Sequence, residues 1–180
     1  MYRLLILAVG LERLVELIVS RRNAKLAFAR GGREFGRGHY PVMVAIHSAL
    51  LVGSVAEVRA LKRPFIARLG WPMFAIALGA QVLRWWCITT LGKKWNTLVI
   101  VVPDDELVTG GPYRWLRHPN YVAVVAEGIA LPLVHTAWLT SLCFTVANAL
   151  LLRVRLRVEN AALGYTADAP PATTGADVHP

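Results

Sequence analysis

Apolar positions along this chain fall in long blocks, and clusters of charged residues separate the blocks. Five blocks stand out, at roughly 1–20, 40–57, 69–91, 119–137 and 138–153. Crossing a bilayer core takes about 20 residues of helix, so the pattern predicts an all-α, polytopic transmembrane bundle of about five spans. The longest polar connection, "GKKWNTLVIVVPDDELVTGGPYRWLRH" at 92–118, holds a β-prone run, "TLVIVV", before a Pro-Asp-Asp turn signal. A connection of that length between tightly joined helices is more often functional than idle. The Pro/Ala/Thr-rich segment 166–180 has one valine as its only large apolar residue and cannot bury enough surface to order itself. A disordered tail is expected there, after a single domain at 1–165.

Composition strengthens the membrane reading. With 56% apolar and only 17% charged residues, the chain cannot cover itself with polar surface as a soluble domain does. The first block follows Arg3 as a signal peptide would, but Glu12, Arg13 and Glu16 interrupt it and no small-residue cleavage site follows before Arg21. It is expected to be a retained helix. Cys87 and Cys143 both lie in apolar spans and read as buried, inert thiols rather than a disulfide.

Charge then sets orientation. A net charge of +9 is compatible with nucleic acid binding in general, but here the cations collect in the loops between spans, as orientation signals do. With the amino terminus outside, thirteen loop cations fall on the cytoplasmic side and five outside. The expectation is a plasma-membrane protein of bacterial type with a cytoplasmic carboxyl terminus, the bilayer as its partner and no nucleic acid.

The candidate chemistry lies at the start of the fourth block, in "TGGPYRWLRHPNYVAVVAEGIALPL". Gly110 and Gly111 permit backbone conformations closed to other residues. Pro112 and Pro119 suit the first turn of a helix, so Pro119 should begin a helix with Arg117 and His118 at its mouth, near free backbone N–H groups. Such an electropositive pocket is a binding site or, with Tyr113, Trp115 and Tyr121, an interfacial anchor. Glu127 falls about two turns into the span, where an ionisable group is costly and hence a functional candidate. It shares a helix face with Asn120 and Val124. It would serve either chemistry or an ion pair with Arg84 or Arg13, which need partners of their own. In the third block Gln81 and Arg84 precede Trp85 and Trp86, an arrangement that suits a flat ring or, more often, an aromatic belt. His47 reads as a hydrogen-bonded packing residue. In "LLRVRLRVENAALGY", Arg155 and Glu159 are one helical turn apart and positioned to pair. The chain shows no G-x-G-x-x-G, P-loop, HExxH, CxxC pair or G-x-S-x-G, so neither a metal site nor a soluble nucleotide-binding domain is indicated.

A polar loop ending "GPYRWLRHPNY", two further helical segments and a terminal Arg/Glu helix resemble the isoprenylcysteine carboxyl methyltransferase family, over roughly residues 69–165. The resemblance implies an S-adenosylmethionine-dependent methyltransferase with its cofactor bound on the cytoplasmic side, where the loop and the carboxyl-terminal helix complete the site. Carried over by matching positions, it implies a cofactor pocket of Tyr113, Arg117, His118, Pro119 and Tyr121, with Arg155 and Glu159 from the terminal helix. The family often has two glutamates where this chain has Glu159 and Asn160, and its aromatic-rich ending stops here after Tyr165. The implied acceptor is lipophilic: a phenolic or polyketide lipid, ranked above a prenylcysteine carboxylate. A carboxylate is already ionised near neutral pH, whereas a phenol needs a base, for which Glu127 or His118 is the candidate. Membrane sterol reductases, which use NADPH, carry a similar RHPxY pattern, and a non-catalytic membrane subunit or small transporter is the third reading. The sequence holds no signal for oligomeric state.

Overall fold

The computed structural model describes residues 1–103 and 105–164; the tail expected at 166–180 lies outside them. Among the described residues there are five α-helices: α1 (Tyr2–Ala29), α2 (Tyr40–Ala60), α3 (Ala67–Leu91), α4 (Pro119–Leu133) and α5 (Trp138–Ala162). Three segments, Arg37–Ala60, Ala67–Lys94 and Trp138–Ala162, are long and apolar enough to cross a membrane. The chain is an integral membrane helical protein, and all five expected helices form.

The two remaining helices differ in kind from the expectation. Helix α4 has 15 residues, about 22 Å at 1.5 Å per residue, against a hydrocarbon core of roughly 30 Å. It packs between α3 and α5, and nine of its residues are buried. Helix α1 is built inside out. Leu4, Leu7, Leu11, Leu14 and Ile18 recur at helical spacing and are exposed, while Glu16, Ser20 and Asn23 are buried. An apolar stripe therefore faces outward, while the face toward the bundle carries Ile6 and Val9 near its start and polar side chains further on, unlike a soluble amphipathic helix.

The helix ends are fixed by specific groups. Pro119 opens α4 as expected, with His118 as the preceding residue. Helix α5 runs without a break from the apolar span through the arginine-rich segment, so the span and the terminal Arg/Glu helix are one element. At its start, Glu57 of α2 accepts hydrogen bonds from the backbone N–H groups of Leu139 and Thr140 (3.2 and 2.8 Å) and from the Thr140 hydroxyl (2.9 Å). A carboxylate there satisfies N–H groups that the helix leaves unpaired.

Between α4 and α5 the chain turns tightly. Thr136 adopts a positive φ of 55°, and its hydroxyl donates to the Pro64 carbonyl at 2.7 Å, tying this corner to the α2–α3 loop. Where the helices cross, Gly128 lies against Phe144, and a β-carbon there would sit 1.9 Å from the ring. Cys87 is fully buried as expected, but Cys143 is exposed on the outer face of α5: its helical position turns it outward although its neighbours are apolar.

The β-prone run forms β2 (Val99–Val101), paired antiparallel with β1 (Arg33–Phe35) from the α1–α2 connection. The sequence offered no sign of that partner strand. The small sheet joins the two longest loops over the end of the bundle where α1 and α5 finish and α4 begins.

Candidate functional site

At that end, hydrogen bonds from α1 fix the course of the 92–98 segment. Asn23 Nδ2 donates to the carbonyls of Gly92 (3.0 Å) and Trp95 (2.8 Å). Ser20 Oγ donates to Asn96 Oδ1 at 2.7 Å and accepts from the Thr97 backbone N–H at 2.9 Å. Further out, Arg30 and Lys94 hold Asp105 at 2.7 and 3.5 Å, and Lys94 Nζ also donates to the Glu106 carbonyl at 2.7 Å. The Arg30 guanidinium keeps the Asp105 carboxyl below the usual carboxylate range, with Lys94 helping.

Behind this cover lies a cavity of about 240 Å³. Tyr113, Arg117, His118, Tyr121, Arg155 and Glu159 all line it; Pro119 does not, being buried at the start of α4. Tyr113 belongs to a 3₁₀ turn, Gly111–Arg114. Gly111 has a φ of 54°, and a β-carbon there would come within 2.5 Å of Thr90 Oγ1, whereas Gly110 is extended (φ −84°, ψ 174°). The conformational requirement expected of both glycines therefore falls on Gly111 alone. Burial raises the Tyr113 pKa, and the neighbouring Cys87 adds to the shift.

Arg155 and Glu159 meet through a third residue rather than directly. Arg155 Nε donates to the Tyr121 hydroxyl at 2.7 Å, and that hydroxyl donates to Glu159. Arg155 Nη2 also donates to the Thr97 carbonyl at 2.6 Å. His118 stacks on the Tyr121 ring with centroids 5.4 Å apart. Its Nδ1 is 3.6 Å from Glu159 Oε1, and its Nε2 is 3.0 Å from Asn160 Oδ1. Glu159 raises the His118 pKa against the effect of desolvation, and Asn160 adds to the rise. The departure at position 160 thus places an amide where the family often has a second carboxylate, and that amide is a direct partner of His118.

A second cavity, about 160 Å³, lies deeper in the bundle between α1, α2, α3, α4 and α5, with Leu17, Val44, Leu51 and Leu152 among its apolar walls. Trp95, Asn96, Asn120, Tyr121 and Arg155 line both cavities and form a common wall. His47 also lines the second cavity. Its Nδ1 is 2.9 Å from the Met43 carbonyl, and its ring meets Phe144 edge-on, consistent with a packing role.

Glu127 lines neither cavity. It is 5% exposed and accepts from Arg13 Nη2 at 2.8 Å and from Arg84 Nη2, so both arginines considered as partners reach it. Arg13 Nη1 donates to Glu16 at 2.6 Å, and Arg13 Nη2 is 3.1 Å from Gln81 Oε1. Two arginines and two glutamates thus form one charge-balanced cluster among α1, α3 and α4. Of the aromatics in α3, Trp86 meets Trp115 at 5.8 Å, and Trp85 Nε1 donates to Glu12. Reading the sequence passed over Trp95, Asn96 and Asn148. Asn148 had a signal, as a lone amide inside an apolar span.

These features place a loop-covered polar cavity against an apolar one inside an integral membrane helical bundle. The isoprenylcysteine carboxyl methyltransferase (ICMT) family matches residues 73–165, and the chain belongs to it. It is a family of membrane methyltransferases. The chain is 40% identical over 164 residues to the uncharacterized protein YpbQ of Bacillus subtilis, covering 91% of this chain and 96% of that one. An uncharacterized protein of Haemophilus influenzae is 25% identical over 85% of this chain and 89% of its own. A protein-S-isoprenylcysteine O-methyltransferase of Tribolium castaneum is 31% identical over 49% of this chain and 32% of its own.

Proposed function

We propose that the protein transfers a methyl group from S-adenosylmethionine to an oxygen of a lipophilic acceptor, a phenolic or polyketide lipid ahead of a prenylcysteine carboxylate. The observation that carries this reading is the common wall: a polar cavity under the loops and an apolar cavity in the bundle share Trp95, Asn96, Asn120, Tyr121 and Arg155. A water-soluble donor and a lipid acceptor need such a pair of adjoining chambers, and holding the two reactants in line supplies much of the rate.

The polar cavity suits the cofactor by its donor set. Arg117 suits a carboxylate, Glu159 a cation, Tyr113 and Tyr121 a cationic or flat group, and Leu91, Leu98 and Val99 a ring. S-adenosylmethionine, when bound, supplies a methyl group activated by its sulfonium. The residues of the chain must manage the proton of the acceptor. Tyr121 Oη accepts from Arg155 and donates to Glu159, which leaves one lone pair open to an acceptor hydroxyl. With the donor bound, its methyl–sulfur bond would break as the O–C bond forms, leaving a neutral thioether, while the acceptor proton would pass to Tyr121 and the Tyr121 proton to Glu159. His118 holds that carboxylate in place. Glu127, bound by two arginines, keeps α1, α3 and α4 together beneath the wall rather than acting as the base. The loop charges support an outside amino terminus and a polar cavity on the cytoplasmic side of a bacterial plasma membrane, and residues 1–165 would make up the single domain.

The test is incubation of membranes containing the protein with methyl-labelled S-adenosylmethionine and a lipid extract. Label should appear in a lipid that gains the mass of about one CH₂. Binding of NADPH but not of S-adenosylmethionine by the purified protein would overturn the reading in favour of a reductase.

A further inference from the structure

Buried polar atoms in proteins nearly always have partners, and among the described residues four side-chain atoms buried from solvent have none: Arg84 Nε, Asn120 Oδ1, His135 Nδ1 and Asn148 Oδ1. Three of the four, those of Arg84, Asn120 and Asn148, belong to residues lining the apolar cavity. Arg84 is 5% exposed and Asn148 2%. Glu16 Oε1 lies 3.6 Å from Arg84 Nε, an electrostatic contact but too long for a hydrogen bond. Inside a membrane no water compensates such groups, and each unsatisfied one costs several kcal/mol. A molecule that enters the cavity and supplies the missing partners would remove that cost.

The charges around the cavity indicate what kind of head group that is. Arg13 and Arg84 are balanced by Glu16 and Glu127, and Arg155 is linked to Glu159 through Tyr121. An ionised carboxylate entering this balanced set would be a buried anion without a counter-charge of its own. A neutral hydroxyl beside a second oxygen adds no charge. It can donate to an amide oxygen and accept from the guanidinium N–H, which answers the unsatisfied atoms with the right polarity.

Resting on the methyltransferase reading, we propose that Arg84 and Asn148 form the head-group clamp of the apolar cavity and select an acceptor bound as a neutral, hydroxylated ring. One ring hydroxyl donates to Asn148 Oδ1 and accepts from Arg84 Nε–H, and the apolar walls hold the chain. The clamp is a positioning device: the methyl-accepting oxygen is left to Tyr121 at the common wall.

The test uses 5-pentadecylresorcinol, its dimethyl ether and N-acetyl-S-farnesylcysteine as probes, with binding to the purified full-length protein read by native mass spectrometry. The resorcinol should bind at least tenfold more tightly than the ether and than the farnesylcysteine. Asn148→Leu should remove the preference over the ether while leaving ether binding and S-adenosylmethionine binding within about twofold. Equal binding of resorcinol and ether by the unaltered protein would overturn the proposal, as would tighter binding of the farnesylcysteine. A preference that survives in Asn148→Leu would also overturn it. If that variant does not fold, the three probes on the unaltered protein decide alone. S-adenosylmethionine binding, measured on the same samples, tests the methyltransferase reading separately.

Discussion

Glu127 and Tyr121 sit on the same helix, yet they predict opposite phenotypes. Glu127→Gln leaves Arg13 and Arg84 facing one carboxylate fewer in a buried cluster, and breaking such a pair costs on the order of 3–5 kcal/mol. The variant should unfold at a lower temperature in detergent, and Arg84→Gln added to it should recover part of the loss by restoring the balance. Tyr121→Phe should instead fold normally and lose methyl transfer by roughly 10²-fold or more, the range for a positioned proton-transfer group, as read by label incorporation.

His118 gives a pH signature. Glu159 raises its pKa, so the protonated imidazole's contribution to stability is complete below the ordinary histidine value of about 6.5 and is lost as pH rises through the raised value. Thermal stability of the unaltered protein should therefore fall across that upper window, and His118→Gln should show no such step. At this scale the sequence was partly legible. An arginine or a glutamate inside an apolar block demands a partner, which narrowed the choices for Glu127 to Arg84 and Arg13. Nothing in the linear chain placed Tyr121 between Arg155 and Glu159, because that bridge joins two helices whose relative rotation is set by packing.

Among the elements, the crossing of α4 and α5 is the tightest point. Gly128→Ala places a methyl group into the Phe144 ring, and overpacking of this kind costs about 1–3 kcal/mol. A denaturation series should show that loss and its relief by Phe144→Leu. The start of α4 was readable because proline at a first helical turn has a local cause. The continuity of α5 was not, because the arginines after Leu152 look like a break in hydropathy while helix propensity runs straight through them. The strand at 99–101 was visible in its β-branched residues, but its partner at 33–35 depends on two distant loops meeting. The apparent equivalence of Gly110 and Gly111 dissolves once their backbone angles are known.

For the whole molecule, block length and loop charge carried the fold class and the proposed orientation. Fluorescent protein fused after residue 164 should fluoresce, and alkaline phosphatase inserted in the 61–66 loop should be active; the reverse pair would refute the proposed orientation. The two adjoining cavities could not be read in advance. Their common wall draws on α4, α5 and the 92–98 segment, and the sequence gives no measure of how deeply each residue of that wall is enclosed.

The inside-out first helix has a consequence for synthesis. Arg13 leaves the ribosome 114 residues before Glu127, a lag on the order of ten seconds at roughly 5–20 residues per second. Through that interval only Glu12 and Glu16 of the same helix offset Arg13, and the Glu127 carboxylate that completes its buried pairing is still missing. The insertion machinery must therefore hold α1 at a protein-lined or wet site until the fourth helix emerges. Nascent chains stalled before residue 127 should crosslink to that machinery through α1, and longer ones should be released into lipid.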